Sequence, residues 1–383
     1  MNEYDVIIVG AGSVGIPLAM SLGNMGFRTV VIDKHASPGQ GENKHAIGGI
    51  RATHSDPAKI LTGLRSIEIF STWEEKYGED IEWTRGGYTF PIYRKKDEEA
   101  LKSILPIQKD HGLDIDLVGP ERITEVVPGI SADGLLGGTY SPRDGSASPL
   151  ISANAFFRHA MAQGVDFRFK EEVNRVLTQK EKVVGVSTEM GTYLAPVVVD
   201  AAGAFSRELV RTAGTDIPVI PDSHEGAITE PVERFFDTMV VDLRPAVGSK
   251  NYYFYQNTHG QVVFCITPDP PIVGTDKRET SIFLPQVARR MVTLLPRLKN
   301  IRVRRVWRGL YPMSPDGSPL VGWNSEVGGL FHMTGMCGQG FMLGPGLGEV
   351  GARTIADKKT KNDEIILEGF DPYRSFGGDE TLK

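Results

Sequence analysis

The segment from Tyr4 to Asp33 constrains this chain more than any other. A short apolar run, Tyr4-Asp5-Val6-Ile7-Ile8-Val9, leads into Gly10-Ala11-Gly12-Ser13-Val14-Gly15. A second apolar run, Thr29-Val30-Val31-Ile32, ends on Asp33. Strand, tight turn, helix and strand in that order make the βαβ unit that binds dinucleotides. Gly10 lets the chain turn sharply, Gly12 lets the backbone approach a pyrophosphate, and Gly15 lets the next helix pack closely on the sheet. The open amides at that helix start, with the helix dipole behind them, suit negative phosphates. Asp33 lies eighteen residues past Gly15, at a strand tip where a carboxylate accepts hydrogen bonds from ribose hydroxyls. A glycine triplet alone is weak. Here the first strand, a helix over 16–25, the second strand and the acid all fall where the unit needs them.

Composition limits the alternatives. With 383 residues the chain is long enough for two domains. A formal net charge of −6 gives no footprint for nucleic acid or an anionic membrane surface. The two cysteines, Cys265 and Cys337, lie far apart without a CxxC pair, so neither a disulfide framework, a zinc site nor any other metal is expected. They read as buried thiols in a reducing cytoplasm. No stretch approaches the roughly 20 apolar residues that span a bilayer, and the first strand starts so near Met1 that no cleaved leader is expected.

Further along, 37–44 is a polar, glycine-rich loop, and His45-Ala46-Ile47-Gly48-Gly49-Ile50-Arg51 reads as a loop whose paired glycines admit something flat or charged. Helices are expected over 58–77, 98–111, 120–127, 153–163, 207–213, 283–295 and 343–356. Strands are expected over 87–93, 166–169, 172–178, 183–189, 239–242, 252–256, 261–267, 301–311 and 330–334. The stretch 193–203 reads as one buried strand meeting a tight turn. The charge run 94–99 reads as a solvated loop and helix start, and the chain after Lys358 as surface. The order implies an α/β chain: a Rossmann-like domain (1–87, 146–221 and 312–383) interleaved with an antiparallel-sheet α+β domain (88–145 and 222–311).

Five motifs then stand in order: Gly10-x-Gly12-x-x-Gly15 with Asp33, Gly49-x-Arg51, Asp200-Ala201-Ala202-Gly203, Trp307 to Gly317, and Gly335-x-x-Gly338-x-Gly340-Phe341. Together they resemble the amine-oxidising FAD flavoproteins, the family of D-amino acid oxidase, glycine oxidase and sarcosine oxidase. The resemblance runs from Tyr4 to about Tyr373. It is strongest to the β subunits of heteromeric sarcosine oxidase and dye-linked L-proline dehydrogenase, through the 58–75 helix, Gly338-Gln339-Gly340-Phe341-Met342 and Phe370-Asp371-Pro372-Tyr373-Arg374. It implies a noncovalent FAD, with AMP on Gly10, Gly12, Ser13, Val14, Gly15, Asp33 and Lys34. Val173 would meet the adenine through its backbone, and Ala202 and Gly203 would pass beside the adenosine. His45, Gly48, Gly49, Ile50, Arg51, Gly309 and Tyr311 would border the isoalloxazine. Gly338, Gln339, Gly340, Phe341 and Met342 head a helix whose positive end would face the flavin N1–C2=O edge. The domain called α+β above would then hold the substrate.

Departures from the family narrow the expectation. Monomeric sarcosine oxidase attaches its flavin through a cysteine where this chain has Gly309. It also promotes reaction with oxygen through a lysine whose strand, 261–264, carries none here. The histidine that carries FMN at the subunit junction of heterotetrameric sarcosine oxidase is replaced by Pro149, so any FMN shared with a partner would be held without that bond. The glycine oxidase carboxylate arginine is Tyr311 here, and the two cations of the monomeric sarcosine oxidase clamp are His54 and Met342. Another donor set is then needed for a carboxylate, and the candidates are Arg51, His54, Tyr252, Tyr255, Tyr311 and His332. His45 and His54 are candidate tuners of amine protonation. For the tyrosines and histidines packing with a satisfied polar tip is the commoner role, whereas a cation after two glycines in the flavin loop, Arg51, is costly for a merely structural site.

The expected reaction is hydride transfer from an amino acid or N-substituted amino acid of the sarcosine, proline or opine type to flavin N5, giving an imine that hydrolyses. The chain would be the catalytic β-type subunit beside α-type and small electron-transfer subunits. The alternatives are a stand-alone glycine or D-amino acid oxidase releasing peroxide, and a flavin-binding subunit with a dead site. A nicotinamide enzyme would leave the C-terminal glycine turn without a task.

Overall fold

A computed structural model of the chain describes residues 2–377. Its first layer is a six-stranded sheet in the order Leu320–Trp323, Leu330–Thr334, Val197–Asp200, Val6–Val9, Thr29–Asp33, Asp166–Phe169. All neighbours are parallel except the first pair, which is antiparallel. The strands at its centre are Val and Ile-rich because both faces are covered. Val6 and Ile8 pack with the helices Gly15–Asn24, Pro149–Ala162 and Gly340–Ile355. Ile7 and Val9, pointing the other way, pack with Val176, Val186 and Tyr193 of a four-stranded sheet. One residue of register would exchange the two faces.

The second layer is an eight-stranded sheet in the order Val303–Met313, Ile220–Pro231, Gln261–Pro268, Ser249–Gln256, Met239–Asp242, Tyr88–Ile92, Gly137–Ser141, Asp116–Val118. Met239–Asp242 runs parallel to Tyr88–Ile92, and the other pairs are antiparallel. Tyr252, Phe254 and Phe264 bury themselves on one face against the Phe283–Leu294 helix. The opposite face looks back toward the first layer, and the site lies between them. No helix of the described residues is long and apolar enough to cross a membrane. The α/β class with a Rossmann-like sheet and an antiparallel α+β part is thus observed.

Several elements differ from the sequence reading. The Ile220–Pro231 strand was not expected: it carries two prolines, a glycine and four charged or imidazole side chains, which mask a strand's alternation. Ten paired positions with Val303–Met313 hold it in the sheet. The 193–203 strand is two strands, because Ala195-Pro196 carries the chain from the four-stranded to the six-stranded sheet. The 58–77 helix divides at Thr72 into Pro57–Ser71 and Trp73–Tyr77. The run 94–99 lies mostly inside the Lys95–Asp110 helix. Beyond Lys358 the chain is not all surface. Lys361–Gly369 is a helix with a capping box from Thr360 and Asp363, and it buries Ile366 while Phe370 is buried just after it.

Candidate functional site

A cavity of about 840 Å³ opens between the two layers, lined from both. At one end stands the first βα turn. Gly10 has φ +114°, and a side chain there would run into Ala201 O, while one on Gly15 would run into Gly10 O. Only glycine lets strand and helix come this close. Gly12 differs, because nothing lies within 4 Å of where its Cβ would stand. Its backbone borders open cavity. The Gly15–Asn24 helix has no side-chain cap at Val14 and no acid in its first turn; Ile16 N and Leu18 N bond to Gly12 O and Val14 O and Pro17 has no amide, so in that turn the Gly15 N–H is left for an anion. Asp33 lines the cavity, but its carboxylate is already engaged. Oδ2 accepts from Ala11 N at 2.7 Å and Oδ1 from His35 N at 2.7 Å, which clamps the glycine turn to the next strand. Lys34 pairs with Glu172 at 3.2 Å and lies 4.0 Å over the Phe205 ring. Val173, Ala202 and Gly203 line the same end, and Gly203 at φ +60° faces open space.

The far end is built from three chain segments. The 45–51 loop is held by Tyr255 Oη, which donates to Ile47 O at 2.7 Å, and by pairing of Gly49–Ile50 with Gly145–Ser146. Gly48 takes φ +98°, and a side chain on Gly49 would strike the Tyr88 hydroxyl. Arg51 lines the cavity at 7% exposure, donates from Nη1 to Thr53 O, and lies 5.6 Å over the Phe90 ring. Behind it Asp144 is fully buried and accepts from Thr53 Oγ1 at 2.7 Å and Ala52 N at 3.2 Å. Burial pushes its carboxyl up to about 6, although these donors and the Arg51 charge favour the ionised form.

The C-terminal turn closes the cavity. Cys337 and Gly338 both take positive φ, +49° and +83°, and a side chain on Gly338 would enter the Tyr311 ring. The 16-residue helix Gly340–Ile355 follows with no side-chain cap at Gln339, whose Oε1 is buried without a hydrogen-bond partner. A Cβ on Gly340 would lie 3.0 Å from Ser13 Oγ. The two ends of the sequence therefore meet with their helix N-termini side by side.

The floor is the inner face of the eight-stranded sheet. His224 stacks on Tyr311 with 3.8 Å between centroids, and its Nε2 lies 3.2 Å from Asp222 Oδ2. Tyr253 and Tyr311 share a hydroxyl hydrogen bond of 3.1 Å. Burial pushes both phenols up, well above the ordinary tyrosine value, so they are neutral donors. Above them Glu42 Oε2 accepts from Leu310 N at 2.8 Å and meets His45 Nδ1 at 3.1 Å, while Oε1 pairs with Lys277. Burial would raise the Glu42 carboxyl, but His45, Lys277 and the Leu310 amide bring it down to about 2. Gly309 leaves room for this cluster, since a Cβ there would lie 2.7 Å from His45 Cβ.

Most residues named from sequence border one cavity: Gly10, Gly12, Ser13, Val14, Asp33, Lys34, His45, Gly48, Gly49, Arg51, Val173, Ala202, Gly203, Gly309, Tyr311 and Gly338 to Met342. Five do not. Gly15 and Ile50 pack behind the wall, and Tyr255 supports the loop from a smaller neighbouring pocket. His54 is fully buried with neither ring nitrogen bonded; burial, with Arg51 and Lys59 nearby, holds it well below the usual histidine value, so it is neutral and away from the cavity. Tyr252 is likewise fully buried, on the helix side of its strand. His332 is enclosed between Asp200 at 3.3 Å and Asn324 at 3.1 Å. The sequence reading missed Asp222, His224, Tyr253 and Glu42. In Tyr252-Tyr253-Phe254-Tyr255 aromatics occupy both faces, so period two could not say which face meets the cavity.

A family model described as DAO, FAD dependent oxidoreductase, matches residues 5–354. The chain belongs to this family. This FAD-dependent oxidoreductase is 27% identical to sarcosine oxidase subunit beta of Arthrobacter sp over 97% of its own length and 92% of that protein. It is 25% identical to mitochondrial dimethylglycine dehydrogenase of Rattus norvegicus over 96% of its own length but 44% of that protein. It thus spans less than half of that longer relative. L-proline dehydrogenase from P. horikoshii superposes with a TM-score of 0.91 at 29% identity, covering 97% of this chain and 98% of that one. FAD fits the residues present: an open cradle at Gly12, a free amide at Gly15, an uncapped helix start at Gly340, and a bare Gln339 Oε1 on a residue that lines the cavity.

Proposed function

We propose that this FAD-dependent oxidoreductase oxidises the C–N bond of an amino acid or N-substituted amino acid of the sarcosine, proline or opine type. The observation that carries the reading is one continuous cavity with a phosphate cradle at one end and the Arg51, His224, Tyr253 and Tyr311 wall at the other. The relatives named for sarcosine, dimethylglycine and L-proline support the substrate class. Bound FAD supplies a hydride acceptor for the carbon beside the nitrogen. The residues proposed to hold it are the cavity-lining set above, with Gly12 to Val14 on the pyrophosphate and 48–51, 309, 311 and 338–342 around the ring.

The protein's own contribution is alignment, exclusion of water and fixed charge. The Arg51 cation and the positive end of the Gly340–Ile355 helix favour negative charge at the ring end. Asp144 and Thr53 keep the Arg51 loop in place. The neutral Tyr253–Tyr311 hydroxyl pair keeps one proton for the substrate, the other being held between the two phenols, and His224 holds Tyr311 flat. Attachment of FAD is proposed to be noncovalent, supported by Gly309 at the position of the cysteine that attaches the flavin in monomeric sarcosine oxidase.

The division into a cofactor domain (1–87, 146–221, 312–383) and a substrate domain (88–145, 222–311) is proposed on sheet membership, since each sheet draws almost wholly on one set. By likeness to a sarcosine oxidase β subunit the chain is proposed to be the catalytic subunit beside α-type and small electron-transfer subunits, with any shared FMN held noncovalently. Anaerobic mixing of the FAD-loaded chain with amino acids, N-methyl amino acids and opines tests the reaction. At least one class bleaches the flavin if the reading is right, and a flavin that stays oxidised with all of them refutes it.

A further inference from the structure

The charges around the cavity do not all find partners within the protein. Four Lys or Arg residues border it: Lys34, Arg51, Lys250 and Lys277. Lys34 is neutralised by Glu172 at the nucleotide end, Lys277 by Glu42, and the buried Arg51 guanidinium has Asp144 beside it. Lys250 has no ion pair and no hydrogen bond among the described residues. It is exposed, at the start of the Ser249–Gln256 strand. The register of that strand slips between Ser249 and Asn251, which breaks the alternation of faces and leaves Lys250 beside Asn251 on the cavity border. The acids of this end are already satisfied: Asp222 by His224 and the Ser223 amide, Glu42 by His45, Lys277 and the Leu310 amide.

We infer that Lys250 anchors the carboxylate of an N-substituted α-amino acid, so that the site selects carboxylated amines over simple ones. The inference rests on the amine-oxidation reading and names the group that defines its substrate. An ammonium on a flexible stem at the mouth draws an anion in from solution and then closes on it. The neutral Tyr253–Tyr311 hydroxyl pair, on the same sheet face, spends one proton on its own hydrogen bond and keeps the other as an uncharged donor to the carboxylate. This answers the absence of a clamp cation at Tyr311, His54 and Met342. The positive charge stands instead at the start of a floor strand, the one that carries Tyr253.

The test titrates the FAD-loaded chain with pyrrole-2-carboxylate, an unreactive carboxylate, followed by the shift in flavin absorbance. Lys250→Met is expected to weaken binding about 30-fold and Lys250→Arg to recover it to within about threefold, the size of one charge-assisted hydrogen bond. Arg278→Met, which removes a positive charge from a side chain 88% exposed and paired with Asp276, serves as the control and binds as the wild type does. Absent binding to the wild type, or equal binding to wild type and Lys250→Met, overturns the assignment. So does loss of FAD from Lys250→Met, which would give the charge to a cofactor phosphate. So does flavin reduction by decarboxylated amines as fast as by the amino acids. Should no amine reduce the flavin, the amine-oxidation reading falls, while the titration still decides the role of Lys250.

Discussion

His224 and Tyr311 lie face to face, 3.8 Å between ring centroids and 12° between planes, on neighbouring strands of the cavity floor. Asp222 holds the imidazole from one side and Tyr253 holds the phenol from the other. The pair makes a flat, polar surface whose Tyr311 hydroxyl is fixed before any ligand arrives. An aromatic pair of this kind contributes about 0.5–1.5 kcal/mol beyond its buried area. His224→Ala is therefore expected to raise the half-saturating amine concentration about 2–10-fold, as the same 0.5–1.5 kcal/mol implies. Stopped-flow flavin reduction across an amine concentration series measures it, with FAD content unchanged.

Much of the cofactor end was legible in the sequence because glycines there answer to backbone geometry. Gly10, Gly48 and Gly338 stand at positive φ, and Gly15 and Gly49 stand where a side chain would collide. The substrate floor was not legible. Ile220–Pro231 hides a strand behind prolines and charges, since Asp222 and His224 face a cavity and Ser223 and Glu225 bond to Asp276 and Thr280 rather than to solvent. His54 and His332 looked functional as sequence but are enclosed, and no local pattern tells a buried imidazole from a cavity one.

Gly12 allows the fold and the cofactor to be separated. Since nothing lies within 4 Å of a Cβ built there, Gly12→Val should leave the melting temperature of the flavin-free chain unchanged. The valine would fill the cradle, and FAD affinity should fall on the order of a hundredfold, the size of one or two lost charge-assisted hydrogen bonds. Calorimetry and FAD titration of the same preparation read both.

Arg51→Ala removes the ring-end cation while the nucleotide end stays intact. FAD should remain bound, and flavin reduction should slow by on the order of a hundredfold, as expected when a preorganised electrostatic donor is lost. Stopped-flow reduction at the wild-type rate would remove Arg51 from the site.

Glu42 and Asp144 are expected to respond to pH with opposite sign. The Glu42 carboxyl is held down near 2, so its contribution is present above the unfolded value near 4.5 and is lost as pH falls toward 2. The full effect is about 3 kcal/mol at neutral pH. Glu42→Gln should therefore destabilise most at pH 7 and least near pH 2, read from denaturant midpoints.

Asp144 is pushed up to about 6 by burial. Its ionisation costs stability above that value, and the cost disappears as pH falls from about 6 toward 4, a change of about 3 kcal/mol. Asp144→Asn should lack this rise in stability on acidification. The comparison is between the two stability curves over that interval.

The central claim is that the front and rear glycine turns, brought together at Ser13 and Gly340, hold one FAD. Titration of the flavin-free chain with FAD, followed by absorbance and by melting temperature, tests it most directly. The account predicts saturation at one FAD per chain, a raised melting temperature, and release of the flavin on acid precipitation. A chain that stays colourless and melts at the same temperature with and without FAD would contradict it.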